Sequence, residues 1–232
     1  MKNRSKIYKD GLSKIDKTKT YSKSDAIKLV KEMSKTKFDA TIDVAMNLKL
    51  DVKKADQQLR GALTLPNGTG KTTRVLVIAK GDQAKAAIEA GADHVGEVDL
   101  LEKIEKENWF DFDLIIATPD MMPAMGKYGK ILGPKGLMPN PKTGTVTTNV
   151  AKAVLDAKGG RVEYRTDSFG NIHGIIGKVS FSEKDLIENL DAFVQTIIKA
   201  KPSSVKGSYI KTISISATMS PSVKIDQINF DN

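Results

Sequence analysis

Gly68-Thr69-Gly70-Lys71-Thr72 sets a lysine and a hydroxyl behind two glycines, the residue types with which a phosphate-binding loop holds a nucleotide. That chemistry needs a form, G-x-x-x-x-G-K-[ST]. It also needs a context: a strand enters the loop and a helix leaves it, aiming free N–H groups at the phosphates. With Gly70-Lys71-Thr72 aligned, the first glycine falls where the chain has Leu65. The residues that follow, Arg74-Val75-Leu76-Val77-Ile78, are a β-branched run that predicts a buried strand. No helix start is available to receive a phosphate, and the segment reads as a polar, glycine-rich linker.

Other catalytic chemistry finds little support. There is no Ser-His-Asp arrangement, no H-E-x-x-H and no carboxylate cluster with ligand spacing. Two histidines, His94 and His173, are too few for a histidine-built zinc site, and the absence of cysteine removes disulfides and thiolate ligands. No enzyme activity, cofactor or metal is expected. No apolar run approaches the ~18–20 residues of a membrane span, and the lysine-studded N-terminus lacks the apolar core of a signal peptide. A reducing cytoplasm fits these features.

Charge is more informative. The 232 residues carry a formal net charge of +9, unevenly placed, with twelve Lys or Arg against four acids in residues 1–37. A lysine-rich arm attracts polyanions by counterion release, which points to nucleic acid or an anionic membrane. A solubilising tail would show the same composition. The arm lacks the apolar face of a membrane-surface helix, so nucleic acid is the favoured partner.

The elements behind these residues change style twice. Ser24 is placed to cap a helix with Ile27, Val30 and Met33 on one face, and Ile42, Val44, Met46, Leu48 and Leu50 then alternate with polar residues as a half-buried strand. Phe38 shares the parity of Ile42, which favours the core, although the neighbouring Lys37 leaves room for an exposed ring. Arg60–Leu65 predicts a second strand. Beyond the glycine linker, apolar strands at 74–79, 94–95 and 114–118 alternate with helices at 82–90 and 99–107, the wiring of a parallel sheet. The turn Lys80-Gly81-Asp82 has none of the G-x-G-x-x-G spacing of a dinucleotide site. The acidic run 97–113 reads as a solvated helix face.

Residues 119–145 hold five prolines, five glycines and the unopposed Lys127, Lys130, Lys135 and Lys142, which predicts a long loop, either functional or a cap held down by Met and Leu. A helix over 148–158 ends in Gly159-Gly160, mirroring the earlier glycines. Strands around Val162 and Ile172–Ile176, a helix opened by Ser182 with Leu186, Leu190, Phe193 and Ile197 on one face, and a strand over 209–219 complete the chain. On that last strand Thr212, Ser214, Ser216 and Thr218 share a face, a hydroxyl row able to meet phosphates and ribose 2′-OH groups or simply water. Neither chain end closes a core alone. The expected fold is therefore α/β with two domains. Residues 1–67 and 160–232 form a discontinuous two-layer domain, and 68–159 an inserted Rossmann-like three-layer domain with a parallel sheet. Gly68, Gly70, Gly159 and Gly160 are the expected hinges, about which the domains would open and close.

The segments KFDATIDVAMNL, DVKKADQQLRG, LPNGTGKTTRV, IATPDMMPAMGKYGKILGPKGLMPNPKTGTVT and YIKTISISATMSPSVKID resemble the bacterial ribosomal protein family of the mobile large-subunit stalk, over residues 5–228. The resemblance implies the same two-domain fold, direct binding of large-subunit ribosomal RNA, a part in releasing exit-site tRNA, and repression of the own operon's messenger RNA. It implies a cytoplasmic protein of the large subunit, monomeric when free and without membrane contact. The family's RNA contacts map onto Lys37, Phe38, Thr41, Thr212, Thr218, Met219 and Ser220, with His173 and Lys178 near the same surface. Ser220 stands where the family triad usually has glycine, and Thr212 where serine is usual. An added Cβ at 220 is expected to weaken a close backbone approach to RNA.

Overall fold

The computed structural model describes residues 5–205 and 207–226. In chain order the elements are α1 (Lys6–Ser13), α2 (Lys23–Met33), β1 (Thr41–Leu48), β2 (Arg60–Thr64), β3 (Val75–Ile78), α3 (Asp82–Glu89), β4 (His94–Gly96), α4 (Val98–Glu107), β5 (Leu114–Ala117), α5 (Met122–Gly126), α6 (Gly129–Leu132), α7 (Val150–Lys158), β6 (Arg161–Arg165), β7 (Asn171–Lys178), α8 (Glu183–Lys199), β8 (Ile210–Ala217) and β9 (Val223–Ile225). They fall into two compact units, Met1–Gly70 with Val162–Asn232, and Lys71–Arg161. No described helix is long and apolar enough to cross a membrane.

The first unit is built on an antiparallel sheet in the order β7-β1-β8-β9. Strict alternation sorts β1: Ile42, Val44, Met46 and Leu48 are buried, while Thr41, Asp43, Ala45 and Asn47 stay partly open. Ile172, Ile176, Ile213 and Ile215 continue the inner face, against which α2 packs Ile27, Val30 and Met33, and α8 packs Leu186, Leu190, Phe193 and Ile197. The approach of α8 is close. A Cβ at Gly174 on β7 would lie 2.3 Å from the Phe193 ring, so only glycine fits there. A two-stranded sheet, β2 with β6, extends the core through Leu63 and Tyr164.

Three expectations need correction in this unit. The cap of α2 is Ser22, whose hydroxyl accepts from the Asp25 N–H, not Ser24, which already lies in the first turn. The basic arm is folded from Ser5 onward: Lys14 pairs with Glu32, Lys23 with Asp191 at 2.6 Å, and the Lys31 ammonium donates to the Phe181 carbonyl. Lys2 and Arg4 lie outside the described residues. The last expected strand stops at Ala217, and a further strand, β9, pairs with it after a turn.

The second unit has a parallel sheet in the order β4-β3-β5. Helices α3 and α7 cover one face around Val75, Val77 and Ile116, while α4, α5 and α6 cover the other around Leu76, Ile78 and Ile115, giving three layers. The expected long loop is not open chain. Its prolines and glycines cut it into α5, α6 and two 3₁₀ turns, Pro119–Met121 and Pro141–Thr143, and Met121, Met125 and Leu132 go into the core. The capping role is thereby accounted for, with Lys127, Lys130, Lys135 and Lys142 exposed.

Lys71 is where a nucleotide-binding lysine would stand, but its ammonium lies 2.9 Å from Asp113, and Arg74 bridges Asp113 at 3.2 Å and Asp111 at 2.6 Å. The end of the acidic run is thus an ion-pair network rather than a solvated face. The hydrogen bond from Lys71, with further help from the Arg74 backbone and side chain, lowers the Asp113 carboxyl to about 2 from an ordinary 3.8. A folded value below the unfolded one means that the stabilisation is present above about pH 4 and is lost as pH falls through 2. Trp109, the only tryptophan, sits in this unit and reports its unfolding. Melts followed at Trp109 are expected to lose midpoint temperature between pH 4 and 2 in the wild type and much less in Asp113→Asn. Parallel profiles in the two proteins would remove the network from the account.

Candidate nucleic-acid interface

Strand register brings the expected site residues of the first unit into rows on the outer face of its sheet. Thr41 lies opposite Lys178, Asp43 between Ile175 and Ser216, Ala45 between His173 and Ser214, and Asn47 between Asn171 and Thr212. Lys37 and Phe38, in the loop entering β1, and Thr218, Met219 and Ser220, in the turn leaving β8, gather at the Thr41 end of these rows. His173 and Thr212 lie toward the other end. All nine residues belong to one unit.

Phe38 is 53% exposed. Its parity with Ile42 predicted the core, but β1 begins only at Thr41, and parity has no meaning outside the pleat. The loop holding it is fixed on both sides: the Thr36 hydroxyl donates to the Phe38 carbonyl at 2.9 Å, and Asp39 accepts from the N–H and hydroxyl of Ser180 at 3.1 and 2.7 Å. Met219 is 76% exposed and holds φ at +66°, a left-handed conformation rare for a side chain of this size. Between Phe38, Met219, Met33 and Ile7 runs a groove of about 430 Å³.

The two hydroxyls flanking Met219 are committed to its turn. Thr218 donates its N–H to the Thr41 carbonyl at 2.9 Å and its hydroxyl to the same atom at 3.2 Å, and that hydroxyl accepts from the Thr41 N–H at 3.2 Å. Ser220 accepts from the Ala217 N–H and donates to the Ala217 carbonyl, both at 3.0 Å. The left-handed residue is Met219, so serine in place of glycine at 220 causes no backbone strain, and its side chain turns back into its own turn. Thr218 and Ser220 therefore position Met219, which is the outward group of the three.

Electrostatics along the face are mixed. Lys37 is exposed, and the Lys178 ammonium donates to the Thr41 hydroxyl at 2.9 Å. Asp43 sits mid-face with its carboxyl pushed up by burial, an effect that His173 and Lys178 only partly oppose. Asn47 and Asn171 are joined by a side-chain hydrogen bond of 2.5 Å. Sequence reading passed over Asp43, Asn47 and Asn171, although the alternation that exposed Thr41 signalled the first two.

The expected hinge glycines lie at the crossings between the units. Gly68, Gly70 and Gly160 have φ of +66°, +71° and +93°, whereas Gly159 closes α7 at −72°. The first crossing is anchored up to Gly70. The Asn189 side chain donates to the Gly68 carbonyl at 3.0 Å, and a Cβ at Gly70 would meet Lys178 and Phe181 at 2.9 Å.

Comparison with known proteins shows the family. Residues 30–221 match the family described as "Ribosomal protein L1p/L10e family". The chain is 58% identical over 229 residues to the large ribosomal subunit protein uL1 of Limosilactobacillus fermentum, covering 99% of each chain. It is also 58% identical to the protein of that name in Phytoplasma australiense, over 97% of this chain and 98% of the relative. The protein of that name in Lactiplantibacillus plantarum is 54% identical, over 99% and 100% respectively. The family match over residues 30–221, with identity of 54–58% along nearly the whole length of these relatives, places the chain in the ribosomal protein L1p/L10e family.

Proposed function

We propose that the outer sheet face of the first unit binds large-subunit ribosomal RNA, and that the protein serves as a non-enzymatic structural constituent of the large ribosomal subunit's mobile stalk in the cytoplasm. The observation that carries the reading is the meeting, at one end of a polar sheet, of two exposed apolar side chains, Phe38 and Met219, with Lys37 and Lys178. The apolar groups offer stacking and packing to unpaired bases, the lysines neutralise phosphates, and Thr41, Thr212, Ser214 and Ser216 can exchange hydrogen bonds with 2′-OH groups. Membership of a ribosomal family supports the choice of RNA.

Release of exit-site tRNA and repression of the own operon's messenger belong to the same proposal. Family likeness supports both, and a messenger segment that presents the same RNA shape would meet the same face. Gly68, Gly70, Gly159 and Gly160, beside the two crossings, are the proposed pivots.

The test is a competition titration of the protein with a large-subunit stalk RNA fragment against excess bulk RNA at near-physiological salt. A complex that survives the competitor is the expected result. Equal loss to any structured RNA would reduce the protein to a basic polyanion binder.

A further inference from the structure

Among the described residues seven large hydrophobic side chains are exposed, and five of them (Ile7, Phe38, Phe169, Ile175 and Met219) belong to the first unit. Phe38, Met219 and Ile7 line one groove, and Ile175 lies on the outer sheet face. Phe169 stands apart from them. It is the most exposed of the seven, at 79%, and occupies the turn between β6 and β7, beyond the Asn47–Asn171 row. The six residue steps from Thr41 to Asn47 put that turn roughly 20 Å from the Phe38 end.

The turn is rigid. The Asp167 carboxylate accepts from the N–H groups of Phe169 and Asn171 and from the Asn171 side chain, each at 2.8 Å. Gly170, at φ +78°, accepts through its carbonyl from the Leu48 N–H at 3.0 Å, which ties the turn to β1. A ring presented by a backbone already fixed loses little freedom on meeting a partner.

The surroundings select the kind of partner. The turn's other side chains, Asp167, Ser168 and Asn171, are polar, so the ring is a single apolar group within it. Lys49, Arg60 and Arg165 are exposed within a residue of atoms that hold the hairpin, and none is ion-paired among the described residues. The acids of the same segments are Asp51, Glu163 and Asp167, the last taken up by the N–H groups of the turn. A single aromatic face held by a fixed turn suits a nucleobase, which needs only one ring to stack on.

We propose that Phe169 is a second stacking contact for RNA, held at the end of the sheet face opposite Phe38. This rests on the RNA reading of that face and extends the bound RNA along the whole sheet. Phe169→Ala is expected to bind the stalk RNA fragment about five- to fifty-fold more weakly, with an unchanged melting temperature. The loss should vanish on a fragment shortened from the end that reaches the turn. Phe169→Trp should keep wild-type affinity, and its emission should change on RNA addition, against the constant background of Trp109 in the wild type.

If Phe169→Ala binds every fragment as the wild type does while Phe38→Ala loses affinity, the second contact is overturned and the RNA reading stands. If neither substitution alters affinity, the sheet face is not the RNA site and both readings fall.

Discussion

Asn189→Leu is expected to remove about 3–5 kcal/mol from the stability of the first unit, a large share of the 5–15 kcal/mol typical of a domain. Asn189, on α8, is fully buried. Its amide donates to the Ile176 carbonyl at 2.8 Å and the Gly68 carbonyl at 3.0 Å, and its oxygen accepts from the Asn67 N–H at 3.0 Å. Ile176 needs that donor because of a bulge. Ile42 pairs with Gly177 and Asp43 with Ile175, so Ile176 is the extra residue between them. Leucine keeps the branched shape of asparagine in a larger volume and orphans three backbone groups. The Ile176 carbonyl is buried and the groups of Asn67 and Gly68 are partly buried, at about 1–3 kcal/mol for a buried group and less for the others. Amide exchange along β1 and β8 would read the loss, while the Trp109 transition, which belongs to the other unit, should keep its midpoint. A shift below about 1 kcal/mol would mean that water takes over the three bonds.

The same asparagine shows what sequence reading reaches. The helical stripe Leu186, Leu190, Phe193 and Ile197 predicted the face that α8 buries, and Asn189 lies within it as a polar exception. Its partners are a bulge and a loop over a hundred residues upstream, neither of which has a local signature. The alternation of β1 and β8 was legible for the same reason that Phe38 was not: side chains obey parity only inside a hydrogen-bonded ladder, and the ladder starts three residues after Phe38. Composition gave the sign of the charge in residues 1–37 but not its use, since Lys14 and Lys23 are matched with Glu32 and Asp191 only once α2 docks on the sheet. The prolines of 119–145 excluded a long helix without revealing that Met121, Met125 and Leu132 would anchor short ones. At the candidate site, residue types were readable. Which hydroxyls face outward and which brace the backbone was not, because that depends on the pairing of Thr218 with Thr41.

That division of labour yields the largest effect expected on RNA binding. Phe38→Ala with Met219→Ala is expected to weaken the stalk RNA complex a hundred- to thousand-fold, from about 1–3 kcal/mol for each contact. Both side chains are more than half exposed, so neither truncation opens a core. Met219→Gly separates function from fold more sharply. Holding a side chain at φ +66° costs roughly 1–2 kcal/mol, which glycine relieves. That variant is expected to be at least as stable as the wild type and yet to bind RNA as poorly as Met219→Ala. Strain kept in a side chain that does not pack into the core makes physical sense only if the side chain is needed by something outside the protein. A glycine variant with full RNA affinity would break that argument, and Phe38→Ala alone would then have to account for the whole apolar contribution of the groove.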